Sequence, residues 1–340
     1  DDPALPGIFA DALQVPADQL MAAGNSSLEL MHDVLVFAQL VGFGPGPWRE
    51  TRFLCPVPGY DRHFALCERY GMDMTPVDMT PTGPDMDEVE ALVAGDDRVK
   101  GMWCVPKYSN PDGTVYSEET VRRLVSMPTA AADFRIFWDN AYAVHHLTDD
   151  HAQVADVLTL AAEAGNPDRV LVFGSTSKIT FAGGGVAFFG SSPSNIGWWE
   201  RMNKVRSIGP DKVNQLRHAR FLKSPEGLAA HMRKHAELIR PKFEAVDKIF
   251  TAELSDTATW TTPKGGYFVV LKVPAGCARA VVEAAAEAGI ALVPAGSTHP
   301  YNDDPSDELI RIAPTYLELD DLETAVTGLA LCVKLVTSRR

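Results

Sequence analysis

The stretch Val170-Leu171-Val172-Phe173-Gly174-Ser175-Thr176-Ser177-Lys178 decides the fold. Its apolar run reads as a strand buried on both faces. The hydroxyl-rich turn behind it delivers a lysine at the strand exit. A lysine amine carried into an apolar interior must be charge-compensated, neutralised or used covalently. Outward from this point the same kind of run recurs at Arg52-Phe53-Leu54-Cys55, Gly101-Met102-Trp103-Cys104-Val105 and Phe134-Arg135-Ile136-Phe137-Trp138. Helical patterns at 26–42, 60–71, 117–127 and 153–164 separate these runs. Doubly buried strands spaced by helices imply a mostly parallel α/β sheet.

Further along, 198–220 reads as helical with a break at Gly209-Pro210. After Pro225-Glu226-Gly227 the pattern changes to a long helix over 228–253 and strand-like stretches at 260–262 and 266–273. A helix over 278–288, strands at 290–294 and 310–312 and a last helix over 318–337 follow. The chain is thus expected to hold a large domain over 1–220 and a smaller C-terminal α+β domain over 221–340. The opening residues, 1–7, read as the middle of an element, so the start of the large domain is expected to be truncated.

Charge and composition narrow the function. With 31 basic against 45 acidic residues the net charge is −14, which argues against a nucleic-acid or anionic-membrane partner. The 46% apolar and 22% charged content is that of a soluble globular protein, and no apolar run approaches the ~20 residues of a membrane span. Five scattered cysteines, without metal-ligand spacing, read as reduced thiols of a cytoplasmic protein. The adjacent His145-His146 lacks further ligands, so no metal is expected.

Covalent use of Lys178 means a Schiff base, and the matching aldehyde cofactor is pyridoxal 5'-phosphate. That cofactor needs a phosphate cradle, a ring stack and partners for its ring nitrogen and phenolate oxygen. Gly24-Asn25-Ser26-Ser27, opening a helix, can cradle phosphate on free N–H groups, and equally reads as an ordinary N-cap. Tyr60, after Pro56-Val57-Pro58-Gly59, can stack on the ring or simply flank a turn. Asp139 ends an apolar strand and can pair a pyridinium, or cap a turn. Tyr142 and Asn110 can donate to the phenolate oxygen, although Asn110-Pro111-Asp112-Gly113 is also a strong turn signal. Ser175 and Ser177 can bond phosphate or be solvated turn hydroxyls.

In this order the motifs resemble the fold-type I pyridoxal-phosphate aminotransferases of class I. The similarity is greatest to the divergent bacterial aspartate aminotransferase branch, subgroup Ic, typical of actinobacteria. It covers essentially the whole chain. The carrying blocks include 53–64, 138–145, 175–181, 208–218 and 311–315. The resemblance implies that Lys178 forms the Schiff base and shuttles the proton, with Asp139 and Tyr142 completing the catalytic set. It implies that Asn25, Ser26, Ser27, Tyr60, Asn110, Asp139, Tyr142, Ser175, Ser177 and Lys178 hold the cofactor. Arg311 matches the arginine that binds the substrate α-carboxylate, with Asn110 beside it. For the far carboxylate of a dicarboxylic substrate the candidates are Arg206 and Lys212, with Arg217 a further option. The stretch Lys264-Gly265-Gly266-Tyr267-Phe268 resembles a substrate-facing loop.

The implied activity moves an amino group from an L-amino acid to a 2-oxo acid, aspartate with 2-oxoglutarate giving oxaloacetate and glutamate. A homodimer is implied, with small-molecule partners only. Two departures stand out. Where many relatives carry a phosphate-pairing arginine, this chain has Ala182-Gly183-Gly184-Gly185-Val186. The resemblance also implies a segment ahead of residue 1 that helps close the site. The competing readings are transamination of aromatic or 2-aminoadipate-type substrates, a lyase on the same scaffold, a cofactor-binding regulator domain, and a non-enzymatic α/β binding protein.

Overall fold

The computed structural model describes residues 4–338. Eight strands form the main sheet: β1 (Leu20–Ala22), β2 (Arg52–Val57), β3 (Asp73–Thr80), β4 (Gly83–Pro84), β5 (Val99–Cys104), β6 (Arg135–Asp139), β7 (Val170–Ser175) and β8 (Ala187–Gly190). Their order is β1-β8-β7-β6-β5-β2-β3-β4. The five central strands, β7-β6-β5-β2-β3, run parallel, while β8 and β4 join antiparallel at their flanks. The chain moves outward from β2 to β3, then returns to the other side of β2 as β5. The crevice at such a reversal, beyond the carboxyl ends of the strands, is where open α/β sheets bind ligands.

Alternating side chains of the central strands feed two cores. On β7, Val170 and Val172 enter one, and Leu171 and Phe173 the other. This double burial produces the continuous apolar runs in the sequence. The covering helices are α1 (Ala4–Leu13), α2 (Ser27–Val41), α3 (Asp61–Arg69), α4 (Met86–Gly95), α5 (Glu118–Ser126), α6 (Val157–Glu163), α7 (Pro193–Arg206) and α8 (Lys212–Leu222). Leu13 of α1 lies so close under β7 that a Cβ on Gly174 would fall 2.7 Å from its Cδ2, so a side chain there would displace the leucine.

A third core forms around a three-stranded antiparallel sheet of β9 (Thr259–Trp260), β10 (Val269–Lys272) and β11 (Leu309–Ile312), in the order β11-β10-β9. It is covered by α10 (Ala278–Glu287), α11 (Leu319–Thr337) and the far end of α9 (Pro225–Leu254). α9 is shared: Leu228 and Met232 belong to a core of the large sheet, Phe243, Val246 and Phe250 to the third core.

Two local expectations change. The stretch 290–294 joins no ladder; Ile290 and Leu292 pack on the third core, with Ile290 against α11 at Gly328. Its apolar residues are spent on a helix rather than on a strand neighbour. The helix expected from 153 begins only at Val157, behind the N-cap Asp156. Of the opening stretch, residues 1–3 lie outside the described residues, and Ala4 already begins α1.

Candidate active site

The expected residues sit at the carboxyl ends of adjacent parallel strands: Tyr60 after β2, Asn110 after β5, Asp139 closing β6 and Lys178 three residues after β7. Asp139 is 4% exposed. Nε2–H of His63 donates to its Oδ2 at 3.1 Å, while Oδ1 has no partner among the described residues. His63 lies on α3, its ring parallel to Trp103 at 4.3 Å and edge-on to Tyr60 at 4.9 Å. A buried carboxylate oxygen without a donor is costly, so the site is built to receive one there.

Lys178 Nζ lies 5.0 Å from the ring centre of Tyr142. Burial lowers the lysine's pKa, and the Asp139 carboxylate opposes that shift. Tyr142 is buried, and burial followed by the nearby Asp139 pushes its phenol far above the ordinary range. The Tyr60 phenol is pushed up to about 12 by burial, then by Asp139 and Asp61. The lysine backbone is held as well. Its carbonyl accepts from Tyr267 Oη at 2.9 Å and from His145 Nε2 at 3.2 Å. Tyr267 comes from the Lys264–Phe268 stretch, which also bonds to the turn after β6 through Gly266 N and His145 O, 2.8 Å.

Arg311, on β11, crosses from the third core to this crevice. Its Nη1 donates to Asp61 Oδ1 at 2.8 Å and to Asn110 Oδ1 at 3.4 Å, and the guanidinium lies over Phe268 at 5.2 Å. The Asn110 amide is thereby oriented with its oxygen toward the arginine.

The cradle residues also gather. Ser26 caps α2, accepting from Glu29 N at 3.2 Å, and Ser27 is the first helical residue. Ser175 Oγ donates to Ser177 Oγ at 3.1 Å, and Ser177 Oγ to the Asn25 carbonyl at 3.3 Å. Asn25 Nδ2 reaches the Gly183 carbonyl at 3.3 Å, and Asn214 Nδ2 the carbonyls of Gly184 and Gly185 at 3.1 and 2.8 Å. The glycine-rich loop is therefore pinned against the cradle.

The candidate far-end cations are not brought to Arg311. Arg206 is turned to α2, with Nε 2.9 Å from Asp33 Oδ2 and Nη2 2.9 Å from Glu29 Oε1. Lys212 and Arg217 lie exposed on α8. The sequence assigns no role to His63, Asp61 or His145, and places Tyr267 only within a stretch that resembles a substrate-facing loop. The signal available for His63 was its position one helical turn after Tyr60. A cavity of about 360 Å³ between α9 and β9, lined by Arg240, Phe243 and Trp260 among others, holds none of these groups.

An open α/β sheet with a lysine, a buried carboxylate that keeps one oxygen without a donor and a helix-capped polar cradle at its carboxyl edge has the architecture of fold-type I transferases. The profile of the family described as aspartate amino-transferase matches residues 2–340. A Mycolicibacterium smegmatis protein named an aminotransferase is 53% identical over 343 residues, covering 99% of this chain and 80% of its own. The crystal structure of an aspartate transaminase from Corynebacterium glutamicum superposes with a TM-score of 0.96 at 48% identity, covering 99% of this chain and 81% of that one. An α-aminoadipate aminotransferase of Thermus thermophilus, complexed with N-(5'-phosphopyridoxyl)-L-leucine, shares the fold with a TM-score of 0.82 at 22% identity, covering 99% of this chain and 82% of that one. The chain belongs to the aspartate amino-transferase family and is an aminotransferase.

Proposed function

We propose that this chain uses pyridoxal 5'-phosphate to move an amino group between an L-amino acid and a 2-oxo acid, with aspartate and 2-oxoglutarate as its pair. The observation that carries the reading is the unpartnered Asp139 Oδ1, buried within the same crevice as Lys178 and Arg311. A ring N–H is the donor that this oxygen lacks. When bound, the cofactor supplies an aldehyde carbon for amines and a ring that accepts the electron pair left on the substrate carbon.

This chain's residues do the remainder. His63 holds Asp139 by one oxygen and leaves the other free for a ring N–H, which the carboxylate would keep protonated. Tyr60 would cover the ring face, and Tyr142 with the Asn110 Nδ2 would donate to the phenolate oxygen. Asn25, Ser26, Ser27, Ser175 and Ser177 bind the phosphate. Arg311 binds the α-carboxylate, its orientation set by Asp61 and Asn110. The Lys178 amine, its basicity lowered by burial, would take and hold the proton that leaves the substrate carbon. With Arg206 held on α2, Lys212, exposed on α8, is the candidate for the far carboxylate.

A second copy of the chain has support in the surface. Phe181, Val205, Ile208 and Val213 are 70% to 107% exposed on the glycine-rich loop and the α7–α8 region, an apolar surface that suits a homodimer. A cytoplasmic location accords with five cysteines that are all free. Among the described residues no helix is long and apolar enough to cross a membrane.

The test is spectroscopic. Purified protein should take up pyridoxal 5'-phosphate with a visible absorbance band, and borohydride should fix the cofactor on Lys178. Aspartate should bleach the band with release of oxaloacetate. Lys178→Ala should bind the cofactor without the covalent link and lose turnover. Near-normal turnover in that variant would overturn the assignment of the lysine. A response to aromatic or 2-aminoadipate substrates but not to aspartate would overturn the substrate.

A further inference from the structure

The phosphate-pairing arginine of many relatives has no counterpart in Ala182-Gly183-Gly184-Gly185-Val186, and Gly185 leaves little room for a side chain. A Cβ there would lie 2.9 Å from Thr176 Oγ1 and 3.2 Å from the carbonyls of Asn25 and Phe181. A dianion held only by hydroxyls and N–H groups would leave much of its charge uncompensated. An arginine does reach the cradle from another element. Arg206, the last residue of α7, donates from Nη2 to Glu29 Oε1 at 2.9 Å. The other oxygen of Glu29 accepts from the Asn25 backbone N–H at 3.0 Å. One carboxylate thus joins a guanidinium to a cradle N–H, the two donor types a phosphate requires.

The two acidic partners of Arg206 are not equivalent. Asp33 is buried, with 7% of its side chain exposed, and grips Nε at 2.9 Å. Glu29 keeps 33% of its side chain exposed and holds Nη2 from the solvent edge. Asp33 can therefore fix the direction of the guanidinium while Glu29 swings into water.

We propose that Arg206 is the cation for the cofactor phosphate in this chain, and that Glu29 occupies the phosphate's place until the phosphate displaces it from Asn25 N–H and Arg206. This rests on the pyridoxal-phosphate reading of the site. It assigns Arg206 to the cofactor rather than to the substrate's far carboxylate.

The experiment compares the affinities of pyridoxal 5'-phosphate and of pyridoxal, which lacks the phosphate, in wild type, Arg206→Gln, Arg206→Lys and Glu29→Gln. Inorganic phosphate serves as competitor. Arg206→Gln should weaken the phosphorylated ligand about tenfold or more and leave pyridoxal within about twofold. Arg206→Lys, which keeps the charge but not the fork, should fall between. Glu29→Gln removes the internal competitor, so it should tighten both pyridoxal 5'-phosphate and inorganic phosphate by about threefold or more. An unchanged ratio between the two ligands in the Arg206 variants, or weaker phosphate binding in Glu29→Gln, would overturn the proposal. Failure of borohydride to fix the cofactor on Lys178 of the wild type would instead overturn the underlying reading.

Discussion

Asp139 was legible because an acid at the end of an apolar strand is expensive, but its partner was not. His63 looks like any polar residue in the first turn of a short helix. Only the fold carries it 76 positions along the chain to the carboxylate. Replacing it by Phe keeps an aromatic ring over Trp103 and strips Asp139 of its donor. His63→Phe should fold, bind the cofactor more weakly and lose about tenfold to a hundredfold in kcat. Unchanged spectra and kcat would show that Asp139 needs no such support. Arg311 was recognisable only through the resemblance, since a lone strand arginine carries no signal of its own. Arg311→Lys replaces a planar fork by a point charge. It should raise KM for the amino acid by about tenfold or more while the cofactor's affinity holds. Equal losses of both would place the arginine outside the substrate site.

Elements differed in legibility for a physical reason. β2, β5, β6 and β7 are buried on both faces and announce themselves as apolar runs. β3 reads Asp73-Met74-Thr75-Pro76-Val77-Asp78-Met79-Thr80; its burial is interrupted and it pairs beyond β2 only with the two-residue β4, so no such run appears. The reverse error at 290–294 came from apolar residues that serve helix packing. The loop between β7 and β8 was legible as glycine-rich but not in its anchoring. Its neck is closed by Thr176, which bonds Val186 through both backbone and side chain, at 2.8 and 2.9 Å. Gly185→Ala would press a methyl against that hydroxyl. It should lower stability by about 1–3 kcal/mol in urea unfolding, and weaken cofactor binding with it. A variant as stable as wild type would mean that the loop is free to relax.

At the scale of the molecule, the two-sheet organisation followed from the change of pattern near residue 225, whereas the contacts between the sheets did not. Lys107, below the turn after β6, shows how that region responds to pH. Its Nζ donates to the Ala143 carbonyl at 2.8 Å, and burial lowers its pKa to about 8. Below pH 8 the folded chain bears the whole cost of a buried ammonium. Between about 8 and the ordinary value of about 10.4 the unfolded chain holds a proton that the folded chain has released, so stability rises with pH. Lys107→Met removes this dependence. Its stability relative to wild type should be most favourable near pH 7 and decline steadily toward pH 10, whereas parallel urea midpoints would refute the shift. α9 has a mechanical consequence. Its 30 residues make a rod of roughly 45 Å, with Pro241 near the middle interrupting the hydrogen-bond ladder. One arm packs in a core of the large sheet and the other in the third core, so the proline lies between two anchored ends. A tilt of about 5° there moves either end by roughly 2 Å. That travel is enough to part Arg311, which rides with the small body, from Asp61 and Asn110 on the large one. A change in the bend of α9 would therefore alter the spacing between Arg311 and its two partners, Asp61 and Asn110.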